Sequence, residues 1–232
     1  MEDEQSEPFW TWKDLVLLLG LGLPAFIVVF FAVTAILRLF TSNKALLLMI
    51  PQFAGQAAML VPFALLCRWK YDQPLLPALR LGVRVRDAVR SFPAGLLLAV
   101  SVLALAALLR AHDTPSPMQD LMNDPLSAPW VAVFAVSIGP AFEEVFFRGL
   151  LQPVAARTAG VVGGILIGSV PFALLHGPQY AWSWRHVLLI AVAGSAFGWW
   201  RVYTRSTGAS ALMHAGYNAV LVLGYLIGRD AL

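Results

Sequence analysis

Three short segments in the second half of the chain place ionisable and amide side chains inside apolar sequence. They are Glu143-Glu144-Val145-Phe146-Phe147-Arg148, then 172–176, which ends in a histidine, and 214–218, which begins with a histidine and ends in an asparagine. In a membrane, an ionised side chain at the bilayer centre costs about 2.5 to 3.5 kcal/mol even on insertion scales, so such groups usually face the bundle interior and serve a function. The three segments are therefore the candidates for chemistry.

The first segment separates its two carboxylates. On a helix, Glu144 and Arg148 stand at i and i+4 and can form an ion pair, while Glu143 points about 100° away. Adjacent carboxylates in a low dielectric disfavour each other's ionisation, which suits the unpaired one to act as a general base. The alternative is a buried ion cluster that only fixes helix packing.

The other two segments each pair two side chains one helical turn apart. Phe172 and His176 share one helix face, and His214 and Asn218 share another. Taken singly, each pair could be structural, as interhelical polar contacts in membranes often are. Together with the glutamates they form a set that amide hydrolysis requires: a glutamate and a histidine to hold and deprotonate a water, and a second histidine and an asparagine to donate to a tetrahedral oxyanion.

The order Glu-Glu-x-x-x-Arg, Phe-x-x-x-His and His-x-x-x-Asn, each on a separate late apolar segment, resembles the type II CAAX prenyl endopeptidase and bacteriocin-processing family, also called CPBP or Abi. The resemblance covers roughly 130–223 and no motif residue departs from it. It implies that Glu143 is the general base on a water held with His176, and that His214 and Asn218 form the oxyanion hole. Glu144 and Arg148 would be the supporting pair, with Phe172 beside them.

The resemblance also bears on partners. Eukaryotic members of that family remove the last three residues of prenylated CAAX proteins, and bacterial members include ones linked to bacteriocin immunity. The expected function is an intramembrane endopeptidase whose partners are the lipid bilayer and a membrane-associated peptide or protein, prenylated or not. No nucleic-acid partner is expected.

Two other catalytic mechanisms can be drawn from the same residues. A zinc peptidase could use Glu143, His176 and His214 as ligands, but the chain lacks a His-Glu-x-x-His helix, and Asn218 is a poor zinc ligand and a good oxyanion donor. No metal or other cofactor is therefore predicted to be required, with zinc as the alternative. A serine mechanism at Ser210 lacks the second glycine of its motif, and the sequence favours a helix N-cap there.

A non-enzymatic function is the remaining alternative. Intramembrane Glu, His and Arg residues also serve proton pathways and helix contacts. The chain could thus be a membrane scaffold or a bacteriocin-immunity protein that binds a peptide without cleaving it. Seven spans without an evident inverted repeat make a secondary transporter less favoured.

The elements that must position these residues are membrane spans. Of 232 residues, 59% are hydrophobic and 12% charged, with a mean hydropathy of +0.73, which excludes a soluble domain. A span needs about 20 apolar residues. We predict an all-α, polytopic transmembrane bundle of about seven spans, formed as one domain by 15–232 after an N-terminal segment 1–14. The predicted spans are 15–37, 45–66, 92–109, 130–148, 161–176, 186–203 and 209–227.

Charge predicts the orientation of the bundle. The stretch 69–91 is rich in arginine and is predicted to be a cytoplasmic surface loop, which explains the net charge of +3 without an acidic partner. The N-terminus is then cytoplasmic, in a multi-pass protein of a bacterial-type inner (plasma) membrane, and 110–129 is an exposed loop on the other side.

Counting residues from the ends of the predicted spans places the motif residues at unequal depths in the bilayer. Glu143 falls near mid-bilayer, His176 toward the outer end of its span and His214 toward the inner end of its own. A fifth helix that starts late, at the glycines 160, 163 and 164, or that breaks at Pro171, would bring His176 toward the centre.

Overall fold

A computed structural model describes residues 9–111 and 117–229, and every regular element within them is helical. The first half of the chain forms α1 (Trp12–Leu37), α2 (Lys44–Tyr71), α3 (Leu75–Ala78), α4 (Val85–Leu108) and α5 (Pro117–Asn123). The second half forms α6 (Ala128–Val136), α7 (Ile138–Glu144), a π-helical turn (Val145–Leu151), α8 (Gln152–Leu175), a 3-10 turn (Gly177–Tyr180), α9 (Trp184–Thr204) and α10 (Thr207–Arg229). The all-α prediction is confirmed.

The number of spans follows from one fold-back. Six helical stretches are long and apolar enough to cross a membrane, and one of them, Ala128–Leu175, is 48 residues long. This stretch reverses at Gly160, whose φ of 72° and ψ of 173° are not helical. Beyond the reversal the two arms run side by side, with the rings of Phe147 and Phe172 5.2 Å apart. The seven predicted apolar segments thus correspond to seven helical arms, in agreement with about seven spans.

The helix ends collect in two groups, which we name the basic end and the distal end. At the basic end Lys70 of α2 binds Asp14 of α1 with Nζ and Oδ1 2.7 Å apart, and the amide of Thr207 donates to the carbonyl of Arg80. The basic end therefore comprises the N-terminal end of α1, the connection 72–84, the Gly160 reversal and the α9–α10 connection. The distal end comprises the α1–α2 connection, 109–127 with α5, and 176–183.

Two contacts define the distal end. Asn43 donates from Nδ2 to the carbonyl of Leu126 at 2.7 Å, which joins the start of α2 to the start of α6. The hydroxyl of Tyr225 near the end of α10 donates to Oδ1 of Asn123 in α5 at 2.6 Å and lies 3.2 Å from the carbonyl oxygen of Gln119 in the same helix. Since α5 is anchored on α10 in this way, it lies across one end of the bundle.

The predicted surface loop 69–91 is only partly right. The α2 helix continues to Tyr71, α4 begins at Val85, and the intervening connection contains α3. Leu75 and Leu79 on this connection are buried against Trp10, Phe63 and Leu150, and the gain from burying them orders the segment. The predicted loop 110–129 likewise contains α5, while 112–116 lie outside the described residues, as do positions 1–8 of the predicted N-terminal segment 1–14.

Close packing of α4 against α10 fixes the helix that carries His214 and Asn218. A Cβ at Gly95 would lie 1.9 Å from the carbonyl oxygen of Met213, and one at Gly216 would lie 2.2 Å from that of Phe92. The two helices therefore touch through their backbones, which only glycine allows, as at small-residue interfaces in membranes.

We expect Gly95→Ala to destabilise the bundle by about 1 to 3 kcal/mol, the usual cost of overpacking, because α4 and α10 must separate. Thermal unfolding of the purified protein in detergent measures this. Gly20→Ala is the matched control, since a Cβ there meets nothing within 4 Å. Equal melting temperatures for the two variants would show that α10 does not depend on this contact.

Candidate active site

Two irregularities in one arm of the fold-back position the first motif. The helix breaks at Ser137, with φ of −135° and ψ of −81°, three residues before Pro140. Proline has no backbone N–H to donate and its ring clashes with the carbonyl four residues earlier, here that of Val136, so a break at this place is expected. The π-helical turn Val145–Leu151 follows the glutamates. Short π-helical insertions are frequent at functional sites.

Glu144 and Arg148 form the predicted ion pair, and both are completely buried. The guanidinium donates from Nη1 to Glu144 Oε1 at 3.0 Å and from Nη2 to the carbonyl of Gly194 at 2.6 Å. It also lies 4.6 Å from the ring centroid of Phe172 and 5.6 Å from that of Phe197. The arginine thus connects three helical arms through one charged group.

Glu144 accepts hydrogen bonds from two further residues, both on α10. Ser210 donates from its hydroxyl to Glu144 Oε2 at 2.6 Å, and His214 Nδ1 lies 3.1 Å from Glu144 Oε1. With Arg148, the carboxylate has three polar side-chain partners, and Ser210 and His214 are themselves buried. This saturated group is suited to orienting its neighbours.

Glu143 has a different environment from its neighbour. Its side chain is 29% exposed, against 0% for Glu144, and it lines a cavity of about 500 Å³. Its nearest charged or chargeable partner is His214, with Nε2 3.7 Å from Glu143 Oε2. The free carboxylate is thus available to a ligand in the cavity.

His176 reaches the same cavity from the other arm of the fold-back. It follows α8 directly, and its Nδ1 lies 2.8 Å from the carbonyl oxygen of Phe172. Because a carbonyl only accepts, Nδ1 carries the hydrogen, and in the neutral ring Nε2 keeps a lone pair. The Phe172 ring lies 4.6 Å from the His176 ring and 5.8 Å from that of His214.

Asn218 also lines the cavity, and the helix break orients its amide. Nδ2 donates to the carbonyl of Ala135 at 2.8 Å, within the last turn of α6 before Ser137. A primary amide has two hydrogens, so one remains for a ligand. Glu143, His176, His214 and Asn218 therefore share one cavity. The predicted depth difference does not separate Glu143 from His176, because the fourth arm continues to the reversal at Gly160 and the two residues lie at nearly equal distances along the chain from it, one on each arm. Pro171 lies inside α8 without ending it.

Metal ligation was the alternative use of these groups. Among residues 9–111 and 117–229, no group of three His, Cys, Asp or Glu side chains is arranged to hold a metal ion. His214 uses Nδ1 on Glu144 and His176 uses Nδ1 on a backbone carbonyl. The Nε2 atoms and Glu143 are the donors that could bind a metal.

Two side chains of the site, Ser210 and Phe197, could not be assigned their contacts from the sequence. The N-cap assignment of Ser210 is wrong: α10 begins at Thr207, Ser206 accepts the cap hydrogen bond from the amide of Ala209, and Ser210 lies one turn further on, bound to Glu144. Phe197 was not singled out, yet its ring stacks on His214 with centroids 4.3 Å apart. An aromatic residue in an apolar helix carries no signal that distinguishes it from a lipid-facing one.

The chain was compared with known proteins at three levels. Residues 125–220 match the family model described as Type II CAAX prenyl endopeptidase Rce1-like. No curated protein and no solved structure matches the chain. The matched stretch contains all three motifs and every residue that lines the cavity from α6 to His214. The similarity to type II CAAX prenyl endopeptidases predicted from the motifs is thereby confirmed for residues 125–220.

Proposed function

We propose that the protein is an intramembrane endopeptidase that hydrolyses a peptide bond with a water activated by Glu143. The observation that carries the proposal is that Glu143, His176, His214 and Asn218, from three helical arms, line one cavity inside a membrane bundle. The match to the Rce1-like family supports it, since that family implies a protease. The substrate class is a membrane-associated peptide or protein.

In the first step Glu143 takes a proton from a water bound between its carboxylate and Nε2 of His176. Glu143 suits this role because it is partly exposed to the cavity and its contact with His214 is as long as 3.7 Å. His176 suits it because its Nδ1 hydrogen is already donated to the carbonyl of Phe172. The resulting hydroxide attacks the peptide carbonyl carbon. The proton on Glu143 then passes to the leaving amine, so the carboxyl acts first as base and then as acid.

His214 and Asn218 stabilise the tetrahedral intermediate. A histidine that donates to Glu144 from Nδ1 can donate to an oxyanion from Nε2 only in the imidazolium form, which the proposed mechanism therefore uses. Protonated His214 and the second amide hydrogen of Asn218 then face the oxyanion together. Glu144, Arg148 and Ser210 hold the imidazolium in place, as a carboxylate does for the histidine of a catalytic triad.

We expect Asn218→Ala to lower kcat by about 10² to 10³ with little change in KM, because an oxyanion donor acts mainly on the transition state. Steady-state cleavage of a peptide substrate measures this. Gln52→Ala, which removes an amide from the cavity wall on α2, is the matched control. An unchanged kcat for Asn218→Ala would remove this residue from the mechanism.

No metal is required in the proposed mechanism. We therefore expect activity to persist after dialysis against a strong chelator, and added zinc to give no gain. Loss of activity on chelation with recovery on zinc addition would replace this mechanism with a zinc-dependent one that uses the same residues.

The function is tested by comparing peptide termini in the membrane proteome of cells that express the wild type, Glu143→Gln or Asp72→Asn at equal levels. Asp72→Asn is the matched control, since it makes the same carboxylate-to-amide change at a side chain that is 88% exposed. New termini with the wild type and with Asp72→Asn, and none with Glu143→Gln, would support a peptidase and name its substrate. Identical termini in all three strains would favour a non-catalytic peptide-binding protein.

A further inference from the structure

We propose that the active-site cavity opens on the extracytoplasmic face of the membrane, so that the substrate is an apolar peptide segment presented from outside the cytoplasm. The inference deepens the proposed function, and its statement that the bound peptide is a substrate rests on that function. The orientation of the cavity itself depends on no catalytic step.

The cavity occupies the distal half of the bundle. Its wall runs from Leu48 on α2 past Val131 on α6 to Gln119 on α5, Gln179 in the 3-10 turn and Tyr225 on α10. The last three lie at the distal end, where the hydroxyl of Tyr225 binds α5. No residue of α1, of α4 or of 144–171 lines it. The cavity therefore continues from the catalytic residues to the distal end.

The same cavity is closed toward the basic end. Beneath Glu143 and His214 lie Glu144, Arg148 and Ser210, all completely buried, and both Arg148 and Ser210 donate hydrogen bonds to Glu144. One turn further, Gln152 is also buried and donates to the carbonyl of Gly198 at 2.9 Å. This polar layer and the packed α8–α9 contact fill the bundle below the cavity, so the cavity does not continue to the basic end.

Basic residues are distributed unequally between the two ends. Of the sixteen Lys and Arg residues, ten lie within about two turns of the basic end: Lys13, Arg68, Lys70, Arg80, Arg84, Arg86, Arg90, Arg157, Arg201 and Arg205. Five lie near the distal end: Arg38, Lys44, Arg110, Arg185 and Arg229. The remaining one is Arg148 in the core. Because Lys and Arg near span ends are retained in the cytoplasm, the basic end is the cytoplasmic one.

The position of the cavity at the distal end and the excess of Lys and Arg at the basic end together place the cavity mouth outside the cytoplasm. Three helical arms, namely α4, 128–159 and 161–175, separate the basic connection 72–84 from His176, because the fold-back at Gly160 divides one long stretch into two arms. This odd number puts His176 at the end opposite to 72–84. Only α4 separates 72–84 from α5, so α5 lies at that opposite end as well. A peptide exported from the cytoplasm, or the outer flank of a membrane-anchored one, is the substrate that can reach Glu143.

The lining indicates which part of such a peptide is held. Most of the wall is apolar, with Leu48, Met49, Val131, Leu221 and Val222 on three different helices. Among the described residues that line it, Glu143 is the one carboxylate and none is Lys or Arg. An uncharged, apolar segment in extended form fits these walls, and its peptide groups can bind the side-chain amide of Gln179 at the mouth.

Cysteine accessibility tests the orientation. The chain has one cysteine, Cys67, which is buried and is first replaced by alanine. Single cysteines are then placed by Ser42→Cys on the distal α1–α2 connection, by Gln179→Cys at the cavity mouth, and by Asp72→Cys at the basic end. Spheroplasts are treated with a charged, membrane-impermeant maleimide before and after permeabilisation. Any variant that does not elute as a folded monodisperse protein in detergent is replaced by a neighbouring position.

We expect Ser42→Cys and Gln179→Cys to be labelled in intact spheroplasts, and Asp72→Cys only after permeabilisation. The reverse pattern would overturn the orientation, and labelling of Ser42→Cys without Gln179→Cys would overturn the distal opening. The same patterns are read in a Glu143→Gln background, so failure of the peptidase proposal leaves them unchanged. Conversely, Glu143-dependent termini that fall in cytoplasmic segments would overturn the substrate assignment while leaving the peptidase intact.

Discussion

Replacing Glu143 by glutamine is expected to lower kcat by about 10² to 10⁴, the range that a positioned general base supplies, and to leave the melting temperature unchanged. Glutamine keeps the size and the hydrogen bonds of the side chain but cannot accept the proton of water. The fold should not respond, because Glu143 lies at the cavity surface and its closest contact with His214 is 3.7 Å long. Cleavage rates and thermal unfolding of the same detergent preparation measure both effects.

The adjacent Glu144→Gln is the control for this prediction, because it makes the same substitution one residue along the helix. Glu144 is completely buried and accepts hydrogen bonds from Arg148, Ser210 and His214, so its loss should lower the melting temperature as well as the activity. A lower melting temperature for Glu144→Gln but not for Glu143→Gln would thus distinguish the supporting carboxylate from the base. Substantial turnover by Glu143→Gln would refute its role as base, whatever the behaviour of Glu144→Gln.

The pairing within the first motif could be predicted because it is a local property of a helix. Spacing alone places Glu144 and Arg148 on one face and turns Glu143 away, and the structure has that arrangement. The same holds for the spans, since the apolar runs are long enough to identify each helical arm. Periodicity and length are sufficient for features that lie within one element.

The contacts between elements could not be predicted in this way. Nothing in the sequence shows that Ser210 meets Glu144, that Asn218 binds the carbonyl of Ala135, or that Phe197 stacks on His214, because each pair lies on different helices. The depth of His176 illustrates the same point. The fifth span begins at 161 as predicted, but the fourth span was predicted to end at 148, whereas its helical arm continues to Gly160 and so brings Glu143 level with His176.

The loop 69–91 shows why charge alone misleads about local structure. Its arginines indicate a surface, and Arg84 and Arg86 do lie at the surface, but they form ion pairs with Asp87 at the start of α4 rather than in an irregular loop. Leucines between the charges order the rest by packing on Trp10 and Phe63. A mixed pattern of this kind is resolved only when the partner helices are known.

Replacing Arg148 by methionine is expected to destabilise the protein by about 3 to 5 kcal/mol, the usual cost of removing one partner of a buried ion pair. Glu144, at 0% exposure, would then lose its permanently charged partner, and the carbonyl of Gly194 would lose its donor. Thermal unfolding in detergent measures the loss. Arg38→Met is the matched control, because Arg38 is an exposed arginine at the end of α1 and the substitution removes the same atoms.

The double variant Glu144→Gln/Arg148→Met distinguishes the charge from the packing. If most of the destabilisation comes from an unpaired carboxylate, the double variant should be more stable than Arg148→Met alone, giving a favourable coupling energy in the double-mutant cycle. It should nevertheless be inactive, because an amide, unlike a carboxylate, can also donate to Nδ1 and so no longer fixes which ring nitrogen of His214 carries the hydrogen. A double variant that regains stability and activity together would show that the pair serves folding only, and the charge that orients His214 would then have to come from Glu143.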